Sequence, residues 1–244
     1  MKKCPRCMKK DHDDVRFCRH CHTELFFEHR FEAKQDSQTL PVMQLIYGTT
    51  NQAKIAYMKE RIQPLGIEIL SLNDVNAPQL DIDESGDSPL ENARIKALAY
   101  HRALRKPVFS CDSALYIDGL DVTRQPGAHV RSVGGRELSD EEAIEHFSAL
   151  AREFGGSMTA YYQNAICLVL DKKRLYEHMG EDIASERFLI VSKAHERRNE
   201  GFPIDSLSVH MESGAYYYDM DEQAKKLAEG GDGFAAFFRR VLGR

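Results

Sequence analysis

The chain has 244 residues, 42% of them hydrophobic, and a formal net charge of -5 from 33 basic and 38 acidic side chains. That is enough for one sizeable core with a small appendage. The mild acidity argues against nucleic acid as the main partner. No apolar run approaches the ~20 residues of a membrane span, and the charged, Cys-containing N-terminus lacks a signal-peptide core, so a cytoplasmic protein is expected.

Residues 1–27 are rich in Cys and His. Cys4-Pro5-Arg6-Cys7 and Cys18-Arg19-His20-Cys21 are two C-x-x-C knuckles. Four thiolates from two tight turns complete a tetrahedral Zn²⁺ shell, closed and therefore structural. So short a segment has no core of its own, and metal binding supplies its folding free energy. A zinc ribbon is expected here. Its charge demands neither nucleic acid nor a protein as a contact. Residues 28–41 are polar and read as a linker, leaving 42–244 as the main domain.

The apolar run 42–47 reads as a buried strand. Thr49-Thr50-Asn51 is a turn, and Ile55, Met58 and Ile62 carry helical spacing after it. Residues 67–70 form a second strand. Residues 73–89 are a long loop rich in Asn, Asp, Gly and Pro, of a length often kept for function. Ser88 caps a helix over 89–104, with Pro89 in its first turn and Glu91 three residues after the cap. A short buried strand over 107–111 follows, with Asp112 at its end. Ser139 caps a helix through residue 154. Residues 158–170, 188–192 and 207–211 read as strands, 216–218 as a further short one, and 234–242 as a last helix. The order β-α-β, then α-β, then strand-rich argues for an α/β domain built on a mixed sheet.

Three segments carry candidate chemistry. In Gly48-Thr49-Thr50-Asn51-Gln52-Ala53-Lys54, a turn opens a helix whose free N–H groups and dipole suit a phosphate, and Lys54 adds a point charge. The run from Glu84 to Ala97 places acids in a loop before the 89–104 helix. In Ser110-Cys111-Asp112-Ser113, a carboxylate stands just past a strand end, where ligands bind in open α/β sheets. Hard carboxylate oxygens suit Mg²⁺.

Order and spacing of these segments resemble the inosine/xanthosine triphosphate pyrophosphatases, the house-cleaning nucleotidases. Their T-G-N-x-x-K is matched by Thr49-Thr50-Asn51 with Lys54. Their E-x-G-x-(S/T)-x-x-E-N-A-x-x-K-A is matched by residues 84–97, and D-D-S-G-L-x-V-D by Asp112-Ser113 with Leu115 and Asp118. Pro126-Gly127 follows, then Phe202-Pro203-Ile204-Asp205 against F-G-Y-D.

The resemblance implies a twisted mixed sheet flanked by helices with a central cleft. It also implies Mg²⁺-dependent hydrolysis of dITP, ITP or XTP to the monophosphate and pyrophosphate. In that reading Glu84 and Asp112 hold Mg²⁺, and Asp112 is also the general base. Thr49, Thr50, Asn51 and Lys54 grip the triphosphate, Ser113 contacts substrate, and Phe202 and Asp205 read the base. A homodimer is implied as well. Thr50 stands where the family has Gly, Cys111 where it has the first Asp, and Ala114 where it has Gly; the late S-H-R motif has no match. The altered acid motif motivates one alternative, a nucleotide-binding sensor or adaptor that no longer cleaves.

Overall fold

The computed structural model describes residues 2–3, 9–11, 42–221 and 232–244. The chain divides into two compact units, residues 1–40 and 41–244. In the first, Lys2–Lys3 pairs antiparallel with Lys10–Asp11. The cysteines of the expected zinc ribbon, Cys4, Cys7, Cys18 and Cys21, and the linker at 28–41 lie outside the described residues.

The second unit is built on strands β1 (Met43–Tyr47), β2 (Ile67–Leu70), β3 (Val108–Ile117), β6 (Ser157–Val169), β7 (Leu175–His178), β8 (Phe188–Val191) and β9 (Ser208–His210). Their order is β9-β8-β6-β3-β1-β2, with β7 added on β6. A separate hairpin pairs β4 (Ser132–Val133) with β5 (Arg136–Glu137). Among the described residues four helices flank the sheet: α1 (Gln52–Ile62), α2 (Pro89–Leu104), α3 (Asp140–Glu153) and α4 (Gly233–Leu242).

β1 is parallel to both β2 and β3. Leu45, Ile46 and Tyr47 are all buried, as befits a parallel strand covered on both faces. The helix starts follow their caps. Asn51 accepts from the Lys54 amide, Ser88 from Glu91, and Ser139 forms a full capping box with Glu142.

β3 changes partners along its length. It is parallel to β1 only at Val108 and Phe109, but runs antiparallel to β6 for ten residues without a break in register. Side chains alternate across such a strand, and the core divides accordingly. Phe109 and Cys111 join Leu45, Tyr47, α1 and α4 in one cluster. Leu115 and Ile117, on the same face, join α3, Phe188, Ile204 and Leu207 in a second cluster. α2 lies on the opposite face, where Ala93 and Ala97 meet Cys167 and Val169. The two clusters define two lobes that share β3.

Two expectations from the sequence change here. The strand expected over 107–111 extends to Ile117, because β6 continues as its partner; Asp112 is therefore mid-strand, although still beyond the end of the β1 ladder. Residues 216–218 are not a strand: Tyr216 makes one bridge to Val209 and the chain then turns through Tyr217–Asp219. The Tyr216 hydroxyl donates to the Lys193 carbonyl at 2.6 Å, which holds this segment to a loop instead of a sheet edge. β7 and the β4–β5 hairpin had no strong pattern. The hairpin depends on Gly134 and Gly135, both with positive φ (59° and 79°), the backbone of a two-residue turn.

α4 closes on the core through a glycine. A Cβ at Gly233 would stand 1.9 Å from the Asp182 carbonyl oxygen and 2.9 Å from Ile183 Cγ2. Backbone must move to admit it. Gly233→Ala is expected to cost about 3 kcal/mol and to lower Tm by roughly 6–12 °C. A thermal melt within 2 °C of the parent would contradict this packing.

Candidate active site

The turn after β1 is shaped by close approach. The Gly48 amide donates to the Phe109 carbonyl at 2.8 Å. A Cβ on Gly48 would meet the Tyr100 ring at 3.2 Å and the Phe109 carbonyl at 3.5 Å. The Asn51 amide donates to Thr49 Oγ1 at 3.2 Å, and Asn51 Oδ1 accepts from the Lys54 amide at 3.0 Å. Among the described residues only Asn76 and Arg105 combine a side chain with positive φ, so Thr50 sits in this turn without left-handed backbone. Its place in a glycine position of the resembled motif is thus sterically accounted for. The first amides of α1 have no acceptor within the helix, and Lys54 stands in that first turn.

On the α2 face of β3 lies a chain of charges. Lys96 Nζ donates to Asp112 Oδ1 at 3.0 Å and to Glu84 Oε2 at 2.8 Å. Both carboxylate oxygens therefore lie within 5.8 Å of each other, the sum of the two legs. The other Asp112 oxygen, Oδ2, accepts from Asn92 Nδ2 at 3.2 Å; Asn92 Oδ1 in turn accepts from the Gly86 amide at 2.9 Å. The side chains of Lys96 and Asp112 are each 12% exposed, that of Glu84 48%, so the group is closed at the strand and open at the loop. Burial pulls the Lys96 ammonium down, but Asp112 and Glu84 outweigh it and hold the group above the ordinary lysine value.

α2 places these groups by its period. Asn92 and Lys96 are four residues apart and so lie on one helical face, against the strand that carries Asp112. Lys96 and Asn92 fall inside the sequence motif, which by itself assigns them no role. Their signal was the i, i+4 pairing of an amide with a lysine on a helix that starts from an acidic loop.

Gly86 fixes the loop end. A Cβ there would lie 2.6 Å from Asn92 Oδ1 and 3.0 Å from Glu91 Cγ. Gly86→Ala must push away the amide that steadies Asp112. We expect about a tenfold fall in turnover with a Tm shift of only a few degrees. Unchanged turnover would show that Asn92 does not position the carboxylate.

The opposite face of β3 carries Cys111 and Ser113. Burial pushes the Cys111 thiol up to about 12, so it is neutral at physiological pH, next to the Tyr47 hydroxyl. The acid missing at position 111 would have faced away from Glu84 and Lys96. Ser113 Oγ donates to Asn164 Oδ1 at 2.7 Å, and Asn164 Nδ2 donates to the Ile183 carbonyl at 2.7 Å. With its proton committed, the Ser113 hydroxyl presents lone pairs to a ligand.

Phe202 and Asp205 belong to the second lobe. Phe202 leads into the turn Pro203–Leu207, whose Ile204 and Leu207 are core residues. Asp205 accepts from Asn199 Nδ2 at 3.0 Å, and burial raises its carboxyl above the usual range. Among the described residues no hydrogen bond or ring contact joins either one to Asp112, Glu84 or Lys54. The structure thus brings together Glu84 and Asp112, through a lysine the sequence reading left unassigned. The turn that carries Phe202 and Asp205 packs instead with the second core cluster.

A sequence model of the Ham1 family matches residues 45–228. Similar proteins include the dITP/XTP pyrophosphatase of Rhodopseudomonas palustris, 34% identical over 51% of this chain and 59% of that one. That of Halalkalibacterium halodurans is 37% identical over 41% and 50%. The alignments thus span about half to three-fifths of these relatives. Among solved structures, a HAM1 protein from Coxiella burnetii superposes with a TM-score of 0.62 at 19% identity, covering 82% of this chain and 98% of that one. The Ham1 protein of Staphylococcus aureus gives 0.57 at 20%, covering 82% and 94%. These two share the mixed α/β fold.

Proposed function

The chain belongs to the Ham1 family, and from that premise we propose that it hydrolyses non-canonical purine nucleoside triphosphates, dITP, ITP or XTP, to the monophosphate and pyrophosphate. The observation that carries the proposal is the Glu84–Lys96–Asp112 chain on one side of the Gly48–Phe109 contact. Two named relatives, the enzymes of R. palustris and H. halodurans, are dITP/XTP pyrophosphatases.

The donor set suits magnesium. Mg²⁺ is held by one or two carboxylates, completing its shell with water and substrate phosphate. Glu84 and Asp112 offer hard oxygens close enough to serve one ion, directly or through its water. The same two oxygens already share one cation, the Lys96 ammonium. Among the described residues no group of three or more His, Cys, Asp or Glu side chains is poised for a metal. When bound, the ion neutralises phosphate charge as a Lewis acid.

The chain's own groups supply the rest. Thr49, Thr50, Asn51 and the first amides of α1 hold the phosphoryl tail, with Lys54 adding positive charge. Asp112, aimed by Asn92 and Lys96, takes a proton from the attacking water. The oxygen–phosphorus bond forms at the α-phosphorus as the bond to the bridging oxygen breaks, and pyrophosphate carries away that electron pair. Lys96 balances the charge that grows on the phosphoryl oxygens. Ser113 accepts a hydrogen bond from the sugar or base, and Phe202 with Asp205 reads the base from the second lobe.

A panel of dITP, XTP, dGTP and dATP with Mg²⁺ tests this by the products released. The expected result is pyrophosphate and monophosphate, with dITP and XTP preferred. Tight binding without turnover would instead favour the sensor reading. That alternative rested on Cys111, which faces away from the three-residue chain.

The same proposal includes an N-terminal zinc ribbon at 1–27, a linker at 28–41 and assembly as a homodimer. Its four thiolates are Cys4, Cys7, Cys18 and Cys21. Metal analysis is expected to return one zinc per chain, lost on Cys4→Ser without loss of turnover. A metal-free parent would remove the ribbon from the account. Among the described residues no helix is long and apolar enough to cross a membrane.

A further inference from the structure

On the face of β3 turned away from Lys96 stand Phe109, Cys111, Ser113, Leu115 and Ile117, every second residue of the strand. The Phe109 carbonyl accepts from the Gly48 amide of the turn after β1 at 2.8 Å, and its ring belongs to the first core cluster. Leu115 and Ile117 belong to the second cluster, with Ile204 and Leu207 of the turn that carries Asp205. Ser113 stands midway, half-buried, a hydroxyl in a row of apolar side chains and one thiol. Its place along the strand is that of the sugar along a nucleotide, with phosphates toward residue 109 and the base toward residue 117.

The Ser113 hydroxyl has its role imposed from β6. Asn164 lies directly opposite, and Ser113 Oγ donates to Asn164 Oδ1 at 2.7 Å. Asn164 is held in turn, because its Nδ2 donates to the Ile183 carbonyl at 2.7 Å. A carbonyl can only accept, so the Asn164 nitrogen must face Ile183 and its oxygen must face Ser113. That carbonyl is anchored. Ile183 is 3% exposed within the first cluster, and the Asp182 carbonyl before it packs against Gly233 at the start of α4. Polarity therefore runs one way, from a core carbonyl through Asn164 to Ser113, which keeps only lone pairs for a ligand.

We infer that Asn164 is a positioning residue that locks Ser113 as a hydrogen-bond acceptor, and that the group so recognised is the 3′ hydroxyl of the nucleotide sugar. The inference rests on the proposed hydrolysis of nucleoside triphosphates and adds what reads the sugar. An ionised phosphate oxygen brings only lone pairs and is refused at Ser113; a sugar hydroxyl brings a proton. dITP has no 2′ hydroxyl, so the 3′ hydroxyl is the sugar donor that dITP, ITP and XTP share. The lock also works by exclusion, since a triphosphate tail shifted along the cleft would meet acceptor against acceptor.

Calorimetry of the full chain with dITP and with 2′,3′-dideoxyITP tests it, with Ca²⁺ in place of Mg²⁺ so that nucleotide is not consumed. The parent should bind the dideoxy analogue about tenfold more weakly, the loss of one hydrogen bond to a committed acceptor. Asn164→Leu frees the Ser113 proton, and the ratio should fall to about threefold or less. Asn164→Asp keeps an acceptor opposite Ser113 and should keep the ratio, although a carboxylate facing the Ile183 carbonyl lowers Tm. Ser113→Ala should abolish the ratio. A purely structural Asn164 would weaken both nucleotides alike and leave the ratio unchanged. The inference is overturned by a parent that binds the two nucleotides equally, by Asn164→Leu or Ser113→Ala with the parent's ratio, or by Asn164→Asp that loses it. Assaying dITP turnover with Mg²⁺ on the same preparation separates the failures. Turnover with equal affinities rejects the sugar contact alone; the full ratio without turnover rejects hydrolysis and leaves the lock standing; a protein that binds neither nucleotide removes both.

Discussion

Asp112→Asn is expected to lower dITP turnover by ~10²-fold or more, while the protein stays folded. The substitution keeps the size of the side chain and removes its charge. An asparagine oxygen can still accept from Lys96 at the Oδ1 position. Its amide then faces the Asn92 amide, donor against donor, at the contact now made at 3.2 Å. One hydrogen bond is lost, a cost of about 1 kcal/mol. Stability and turnover therefore separate: Tm falls by a few degrees, but the proposed proton acceptor is gone. Turnover within threefold of the parent would refute Asp112 as the base.

Lys96→Met is the second substitution with a large expected effect. Methionine keeps most of the stem and deletes the charge that joins Glu84 to Asp112. Two carboxylates are left within 5.8 Å of each other, the sum of the two legs, and the buried one has lost its cation. Breaking a buried pair from one side costs 3–5 kcal/mol when both partners are fully enclosed; with Glu84 half exposed, about 2 kcal/mol is the better expectation. Turnover should fall by ~10²-fold.

The pH dependence has a fixed sign. Its carboxylate partners hold the Lys96 ammonium above its unfolded value of 10.5 despite burial. The stabilisation is complete below that pH and is lost as pH rises through the folded value. Melting curves of parent and Lys96→Met from pH 8 to 11.5 should therefore converge only at the alkaline end. Curves that stay parallel would show that the ammonium contributes nothing to the fold.

What the sequence discloses is local. The caps at Asn51, Ser88 and Ser139 are set by residues within three positions, and each helix begins where its cap stands. Glu84 and Asp112 were also legible, because their segments are dense in residues of one chemical kind. The length of β3 was not. Its extension to Ile117 depends on β6, some fifty residues later, and no local pattern reports that pairing. The same limit hid Lys96 and Asn92, whose value comes from the strand they face. Phe202 and Asp205 show the converse: their motif was readable, but the core cluster their turn packs into is a property of the tertiary fold, which no short segment encodes.

A strand shared by two lobes has a mechanical consequence. Among the described residues, β3 around 110–114 is tied along one edge only, by β6, because its β1 pairing has ended and the Gly127 contact has not begun. Any flexing of one lobe against the other concentrates where the lateral restraint is thinnest. That place is the carboxylate at position 112, so the jaw and its tooth are the same few residues. A nucleotide that draws the lobes together would aim the proposed proton acceptor by the act of being enclosed.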